Sequence, residues 1–594
     1  MPPRPRSASK PATRGRRWYL LALLLATALV YGFALRFEFV YDDVLQIENN
    51  PRIKSVDYLP SYFTRQVWAQ AQGQPANLYR PFFLSWLWLN FEIFGSSPAG
   101  WHLTAILMHL LSVWLVYLLA KKLLPDDGIS AYLAAGIFAL HPVHVEAVAW
   151  ISGATEPLST ALFLGSFLLY LKAREQDWAA KWLLASLALY ASAMLMKEST
   201  VVLPAVIVLY ELCFTAPPAT AKSKSRFALN LKIIAAYCGL MALYFLARAN
   251  ALHGLAHRIS DVPVWSAVLT WPWVLYFYLA QLLAPAALGP FYDVPFARGA
   301  DFAVLIVPAF VLLALAAGLW FWARKSRSNL PLFLGAWFLL TISPALASFV
   351  VMSRYENVHD RYTYLPSVAF AILIGLAWNQ LFKLSPGDPV PRKQMAMAGL
   401  LLLALAAMTY RQSLYWASDE TLFTRGIAVA PKNVLARLNL ASEMVRQHRF
   451  EAAFNAADRA VQLDPNSALA LNSAAESAYF LGDYPTAENY YQRALTLAPP
   501  RVDQLFYLGL ARIATGNYHE ALASLQQGQA LWPDSPGYHA AMGSAYAHLR
   551  DWQAARDEYK KELVLYPNSP GANKGLAAVE EHLPSDLRTS GTPH

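Results

Sequence analysis

Eleven apolar runs, near residues 17–36, 101–120, 130–149, 153–173, 179–196, 199–214, 231–248, 302–323, 330–350, 364–383 and 395–411, fill the first 412 of 594 residues. No water reaches backbone amides inside a bilayer, so runs of this kind can cross it only as helices. A chain that is 56% hydrophobic with positive mean hydropathy is too apolar for an ordinary soluble protein and too long for one domain. The sequence therefore predicts an all-α polytopic membrane protein. Two further apolar stretches, 81–95 and 264–285, are read as interfacial or re-entrant. Only then do RGRR at 14–17, Lys121 with Lys122, Lys172 with Arg174, KSKSR at 222–226, RKSR at 324–327 and PRK at 391–393 all fall on the cytoplasmic side.

The net charge of +9 is gathered in those clusters and at the N-terminus, so it marks topology and not a nucleic-acid stripe. Cys213 and Cys238 both lie in apolar segments, which excludes a disulfide framework and a cysteine metal site. Residues 1–16 form a basic cytoplasmic N-terminus. The run after them has no small-residue cleavage site and reads as an uncleaved first helix.

Near residue 412 the chain becomes alanine-rich, charged and periodic, and 413–433 reads as a connecting helix. Pro431, Pro465, Pro499, Pro533 and Pro567 follow at intervals of 34 residues. HRF at 448–450, GDY at 482–484, GNY at 516–518 and RDW at 550–552 recur in the same register, each followed by a small residue at Ala453, Ala487, Ala521 and Ala555. This resembles the tetratricopeptide repeat. The small residue lets two helices approach, the aromatic packs at their turn, and proline closes the second helix. About four repeats plus a cap are expected over 434–583, forming a solenoid with a concave face, with a disordered tail at 584–594. Eleven spans with the N-terminus inside put this array on the extracytoplasmic side, in a periplasm or lumen.

The same face collects the polar residues that could carry chemistry. Asp42 and Asp43 end the first span in FEFVYDD, and paired carboxylates at a membrane boundary are costly unless they meet water, a partner or a substrate. A solvated loop cap is the bland alternative. HPVHVEAVAWISGATEPLST places His141, His144, Glu146 and Glu156 at one helix end and the start of the next, positioned to hydrogen-bond a sugar or the acidic pair. The spacing is not that of a zinc protease, and a polar helix connection kinked at Pro142 explains it as well. Lys197 and Glu198 stand between two spans, where an ion pair closing the hairpin would account for both. SRYENVHDRYTYLPS supplies Arg354, His359, Asp360, Arg361, Tyr362 and Tyr364, cations on the side where they are depleted. Arginine beside tyrosine at an interface suits capture of a lipid phosphate, or a plain anchor to headgroups.

The series FVYDDVLQIENNPRI, YRPFFLSWLWLN, LHPVHVEAVAWISGATEPLS, MLMKES and DRYTYLPS resembles, in this order, the transmembrane and tetratricopeptide-repeat-containing O-mannosyltransferases and their bacterial relatives, membrane glycosyltransferases of the GT-C fold. The resemblance implies a polytopic GT-C-type domain over 17–412. It implies transfer of a monosaccharide, a hexose such as mannose, from a polyprenyl or dolichyl phosphate to an extracytoplasmic hydroxyl. Asp42 and Asp43 match the family's catalytic position. The pair is Asp-Asp where protein O-mannosyltransferases carry Asp-Glu, and Ala154 stands where the animal proteins often have arginine.

A serine or threonine hydroxyl needs a base, here Asp42 or Asp43, and a single displacement inverts the anomeric carbon. Arg361, with Lys197, Arg80, Arg354 and His359 as helpers, would bind the donor phosphate. His141, His144, Glu146, Glu156, Glu198 and Tyr362 would contact sugar or acceptor. No cofactor or metal is expected. A divalent cation held by the acidic pair belongs to a diphosphate donor and is not favoured. Expected partners are the lipid-linked donor, an acceptor protein held by the repeats, and membrane lipids, with no nucleic acid. A bacterial inner membrane, with the site and the repeats on its periplasmic face, is the expected setting. Alternatives are transfer to a glycan or lipid, or a membrane-anchored scaffold. A transporter is disfavoured because its ionisable residues would lie mid-span.

Overall fold

The computed structural model describes residues 13–69, 77–125, 129–215, 221–384 and 390–583. The first twelve residues and the 584–594 tail lie outside the described residues. Every regular element among the described residues is helical. The chain divides into two compact units, 1–430 and 431–594, so the boundary falls some eighteen residues beyond the change in composition near 412.

Among the described residues of the first unit, eight helices are long and apolar enough to cross a membrane. Seven coincide with expected runs, among them Pro98–Leu123, Ile151–Glu175 and Leu330–Val351. The 130–149 run is a bent pair, Ser130–Leu140 and Pro142–Ala149, turning by 47° where Pro142 cannot continue the helix. Ala180–Met196 and Ser367–Phe382 are shorter apolar helices. The 199–214 run begins as a 3₁₀ turn, Glu198–Val202, before Leu203–Phe214.

The eighth long helix is Val264–Leu283, which the charge pattern puts at the interface. Its length and composition would suit a span, but its two ends are tied to the same end of the bundle. Ahead of it, the amides of Ile259 and Ser260 both donate to the carbonyl of Val351, the last residue of Leu330–Val351. At its far end the Leu282 carbonyl accepts from His141 Nε2 at 2.9 Å. Both ends therefore meet the same polar end of the bundle. The other ambiguous stretch is Pro81–Phe94, a 14-residue helix packed over Trp101 and Met196.

The second unit consists of four helix pairs, Val434–Arg446 with Phe450–Leu463, Ala468–Leu481 with Tyr484–Leu495, Val502–Ala514 with Tyr518–Leu531, and Tyr538–His548 with Trp552–Leu565, followed by Pro570–Glu580. Ala453, Ala487, Ala521 and Ala555 are completely buried, as their role in close helix approach requires. At the turn of each pair one residue adopts the left-handed backbone: His448 (φ 58°), Gly482 (89°), Gly516 (84°) and Arg550 (61°), again 34 residues apart. The conformation lets the next amide reach back to the closing helix, as Asp483 N does to Ala478 O and Asp551 N to Tyr546 O. Glycine meets this demand without steric cost, whereas His448 and Arg550 carry a Cβ into it.

Arg550 is exposed, so its side chain contributes little to packing. Arg550→Gly is expected to stabilise the repeat unit by about 1 kcal/mol, and Gly516→Ala to destabilise it by a similar amount. Thermal unfolding of the full chain followed by circular dichroism checks both signs.

Candidate active site

The acidic pair is presented by a strained turn. Tyr41, immediately before it, has φ 56°, a conformation rare for a bulky residue, and a single π turn, Val44–Glu48, follows. Five contacts hold Tyr41, one of them the edge-on ring of Phe291. Its amide donates to Asp419 Oδ1 at 2.7 Å and its hydroxyl to Glu356 Oε1 at 2.6 Å. Its ring stacks on Trp150 with centroids 5.8 Å apart and meets the ring of Phe423 edge-on. Just upstream, the Glu38 amide donates to the Ala417 carbonyl.

The two carboxylates have different surroundings. Asp43 is fully buried and accepts three hydrogen bonds, from Val40 N at 3.2 Å, Ser152 N at 2.8 Å and Ser152 Oγ at 2.5 Å. Asp42 is half-buried and accepts no hydrogen bond from the described residues. Burial raises the Asp42 carboxyl to about 7, the Glu356 carboxylate adds to the rise, and Arg361 opposes it. Burial raises Asp43 to about 7 too, against the bonds from Ser152 and Val40.

Ser152 sits in the 3₁₀ turn Ile151–Ala154, which packs onto the short helix Val145–Ala149. A Cβ at Gly153 would come 2.5 Å from the Glu146 carbonyl oxygen, so glycine is what lets the turn close on that helix.

Three ion pairs form the rest of the cluster, each joining segments distant in sequence. Arg80 Nε and Nη2 meet Glu198 at 2.8 and 2.5 Å, Lys197 bonds Glu156, and Arg361 Nη1 bonds Glu146. The Arg361 amide also donates to Glu146 Oε2 at 3.1 Å. Lys197 and Glu198 are thus not paired with each other, as their adjacency suggested. Successive residues on this extended-to-3₁₀ junction take separate partners. The ring of Tyr362 lies between the cations, 5.5 Å from Lys197 Nζ and 5.1 Å from the Arg361 guanidinium carbon. The Arg361 guanidinium also lies 5.0 Å over the Trp150 ring. Burial alone would lower the guanidinium pKa, but Glu146 outweighs it and holds the group above its ordinary value. His359 completes this group, with Nδ1 3.4 Å from Glu146 Oε1 and Nε2 on the Glu356 carbonyl at 3.0 Å.

The structure therefore brings together Asp42, Asp43, Arg80, Glu146, Glu156, Lys197, Glu198, His359, Arg361 and Tyr362. It does not offer His141 and His144 to a sugar or acceptor. Both are buried, with His141 bonded to Leu282 O and Val143 N, and His144 to Phe138 O at 2.7 Å and Ser367 Oγ at 2.8 Å. They tie the helix break to its neighbours. Arg354, expected at a phosphate, is half-exposed and meets Asp261 at 3.2 Å. Among the described residues no three His, Cys, Asp or Glu side chains converge as a metal site.

Sequence reasoning missed Tyr41, Ser152, Glu356 and Asp419. The first three lie inside the motifs quoted above, where proximity to charged residues was the available signal. Asp419 carries no cue at all, because it belongs to the stretch read as a connector.

Residues 79–241 match the family described as dolichyl-phosphate-mannose-protein mannosyltransferase, a window that contains Arg80, Glu146, Glu156, Lys197 and Glu198. Residues 438–502 and 506–570 match the tetratricopeptide repeat. The chain is 28% identical to the human protein O-mannosyl-transferase TMTC1, over 75% of this chain and 55% of that protein. It is 26% identical to a protein O-mannosyl-transferase of Caenorhabditis elegans, over 75% of this chain and 63% of that protein. This chain resembles the TMTC O-mannosyltransferases. A third relative, protein O-mannosyl-transferase Tmtc3 of Drosophila melanogaster, is 24% identical over 81% of this chain and 58% of that protein. The chain thus spans a little over half the length of these relatives. The resemblance runs through the membrane domain and into the repeats, in an all-α multi-pass membrane protein.

Asp419 is expected to hold the turn through its acceptor oxygen, not its charge. Asp419→Ala should raise hydrogen exchange at the Tyr41 amide by about tenfold, the equivalent of one ordinary hydrogen bond, while Asp419→Asn leaves it protected. Mass-spectrometric exchange of the 37–48 segment reads the difference.

Proposed function

We propose that this protein transfers a hexose, mannose by its resemblance, from a polyprenyl or dolichyl phosphate to a serine or threonine hydroxyl of an extracytoplasmic protein, within a GT-C-type membrane domain. Asp42 acts as the general base. The contrast within the acidic pair carries the reading. Asp43 is saturated by Ser152 and Val40, whereas Asp42 keeps a free carboxylate beside Arg361.

In this mechanism the acceptor oxygen attacks the anomeric carbon from the side opposite the phosphate, and its proton passes to Asp42. The bond between the anomeric carbon and the phosphate oxygen breaks, the lipid phosphate leaves with the electron pair, and the configuration inverts. Arg361 uses one nitrogen on Glu146, and its remaining N–H groups are available to the phosphate. Lys197 and Arg80 add positive charge, each fixed in place by its own carboxylate. Tyr362 and Glu198, both partly exposed, face the space for sugar and acceptor, while Glu146 and Glu156 are buried in their ion pairs and hold Arg361 and Lys197 in place. Asp43 orients the turn and does not touch the reacting atoms. On this reading the end of the bundle that carries the site and the repeats both face the extracytoplasmic side, a periplasm if the membrane is a bacterial inner one, which the pattern of basic clusters supports only as to side. There the repeats hold the acceptor polypeptide.

The test is transfer from labelled polyprenyl-phosphate hexoses by purified protein in lipid, comparing variants of equal folded yield. Asp42→Asn should lower the rate by about 10²- to 10⁴-fold, the range for loss of a general base, and Asp43→Asn by less. Absence of donor consumption, or full rates in both variants, would refute the assignment.

A base raised to about 7 is protonated, and therefore inactive, below that pH. The rate should accordingly climb about tenfold per pH unit below 7 and level off above it. Removing the neighbouring negative charge by Glu356→Gln, which still accepts from Tyr41, should move the rise to lower pH. A pH–rate profile of both proteins shows the shift or its absence.

A further inference from the structure

The first helices of the first three repeats, Val434–Arg446, Ala468–Leu481 and Val502–Ala514, line a groove of about 200 Å³. Its walls are more polar than a packing defect would be. Asn439 and Asn472 stand in it on the first helices of successive repeats, one register position out of step with the 34-residue period. One amide atom of each, Asn439 Nδ2 and Asn472 Oδ1, is buried without a hydrogen-bond partner. One is a donor and the other an acceptor, and leaving them unmet costs free energy that an incoming backbone carbonyl and amide would recover.

The charge of the groove is as specific as its amides. Arg501 and Asp503 neutralise each other through two bonds, Nε to Oδ1 at 3.0 Å and Nη2 to Oδ2 at 2.9 Å. Glu476, half-buried on the same wall, has no ion-pair partner among the described residues. Burial and the nearby Asp503 raise its carboxyl pKa against the opposing pull of Arg501, and a second cation alongside would lower it further. The groove therefore carries one carboxylate without an ion pair and two unmet hydrogen-bonding groups of the kind a peptide backbone satisfies.

We infer that this groove binds an extended polypeptide segment bearing a lysine or arginine, with the cation against Glu476 and the main chain against Asn439 and Asn472. The assignment rests on the proposed role of the repeats in holding the acceptor and adds a rule of selection to it: the acceptor, or a partner that docks as one, is basic at the bound segment. An acidic segment would bring its charge against Glu476 and Asp503, and a lipid chain would leave the amides unmet.

Binding is measured on the full chain in nanodiscs by fluorescence anisotropy, with a labelled ten-residue peptide of serine, threonine and alanine carrying one central lysine. The comparison peptides carry norleucine or glutamate at that place. The lysine peptide should bind at least fivefold more tightly than the norleucine peptide, and the glutamate peptide more weakly still. Glu476→Gln, nearly isosteric, should bring the lysine to norleucine ratio to about one. Asn439→Ala and Asn472→Ala should weaken both peptides while leaving the ratio intact. Equal affinity for all three peptides, a preference for glutamate, no binding by any of them, or a lysine preference that survives Glu476→Gln would each overturn the proposal. Because the readout is binding and not sugar transfer, the groove can fail while the enzyme reading stands, and the reverse.

Discussion

Glu146 and Arg361 form the contact on which the polar end of the membrane domain depends. Glu146 is almost completely buried, and it accepts from both the guanidinium and the amide of Arg361 while lying beside His359. Removing charge from water costs several kcal/mol per ion, and a buried pair recovers this only with close geometry and extra hydrogen bonds. Stability alone would not favour such a pair over well-packed apolar residues. What it does is fix the loop after Leu330–Val351 against the short helix after the break at Pro142. The Arg80–Glu198 and Lys197–Glu156 pairs do the same for two other junctions. Four chain segments far apart in sequence are thereby held around Tyr362 and the acidic pair.

The division between readable and unreadable features follows from the range of the forces involved. The repeats were legible because their constraints are local and recur: a buried alanine, a left-handed turn residue and a terminating proline return every 34 positions, and the helices start and stop accordingly. The set of polar residues at the membrane face was also visible, since charge beside an apolar run stands out. Which partner each charge takes was not. Lys197 and Glu198 are neighbours in the chain, yet backbone direction sends them to Glu156 and Arg80.

His141 and His144 show the same limit from the other side. Their spacing on HPVH looks like a ligand pattern, but the proline break frees the Phe138 carbonyl that His144 meets, and His141 meets the Leu282 carbonyl at the end of another helix. A polar residue at a helix break answers first to the unpaired backbone around it. Asp42 and Asp43 were equivalent in sequence, and only the position of Ser152, set by Gly153 against Glu146, separates them.

The strained turn at Tyr41 is secured from the far end of the same unit, by Ala417, Asp419 and Phe423. The stretch that looks like a spacer is therefore part of the machinery that shapes the acidic pair. Repeats can be gained or lost beyond Pro431 without touching that hold. A splice or truncation placed at the visible change in composition, near residue 412, would keep nearly all of the apolar helices and still remove every contact that holds this turn from the far end of the unit.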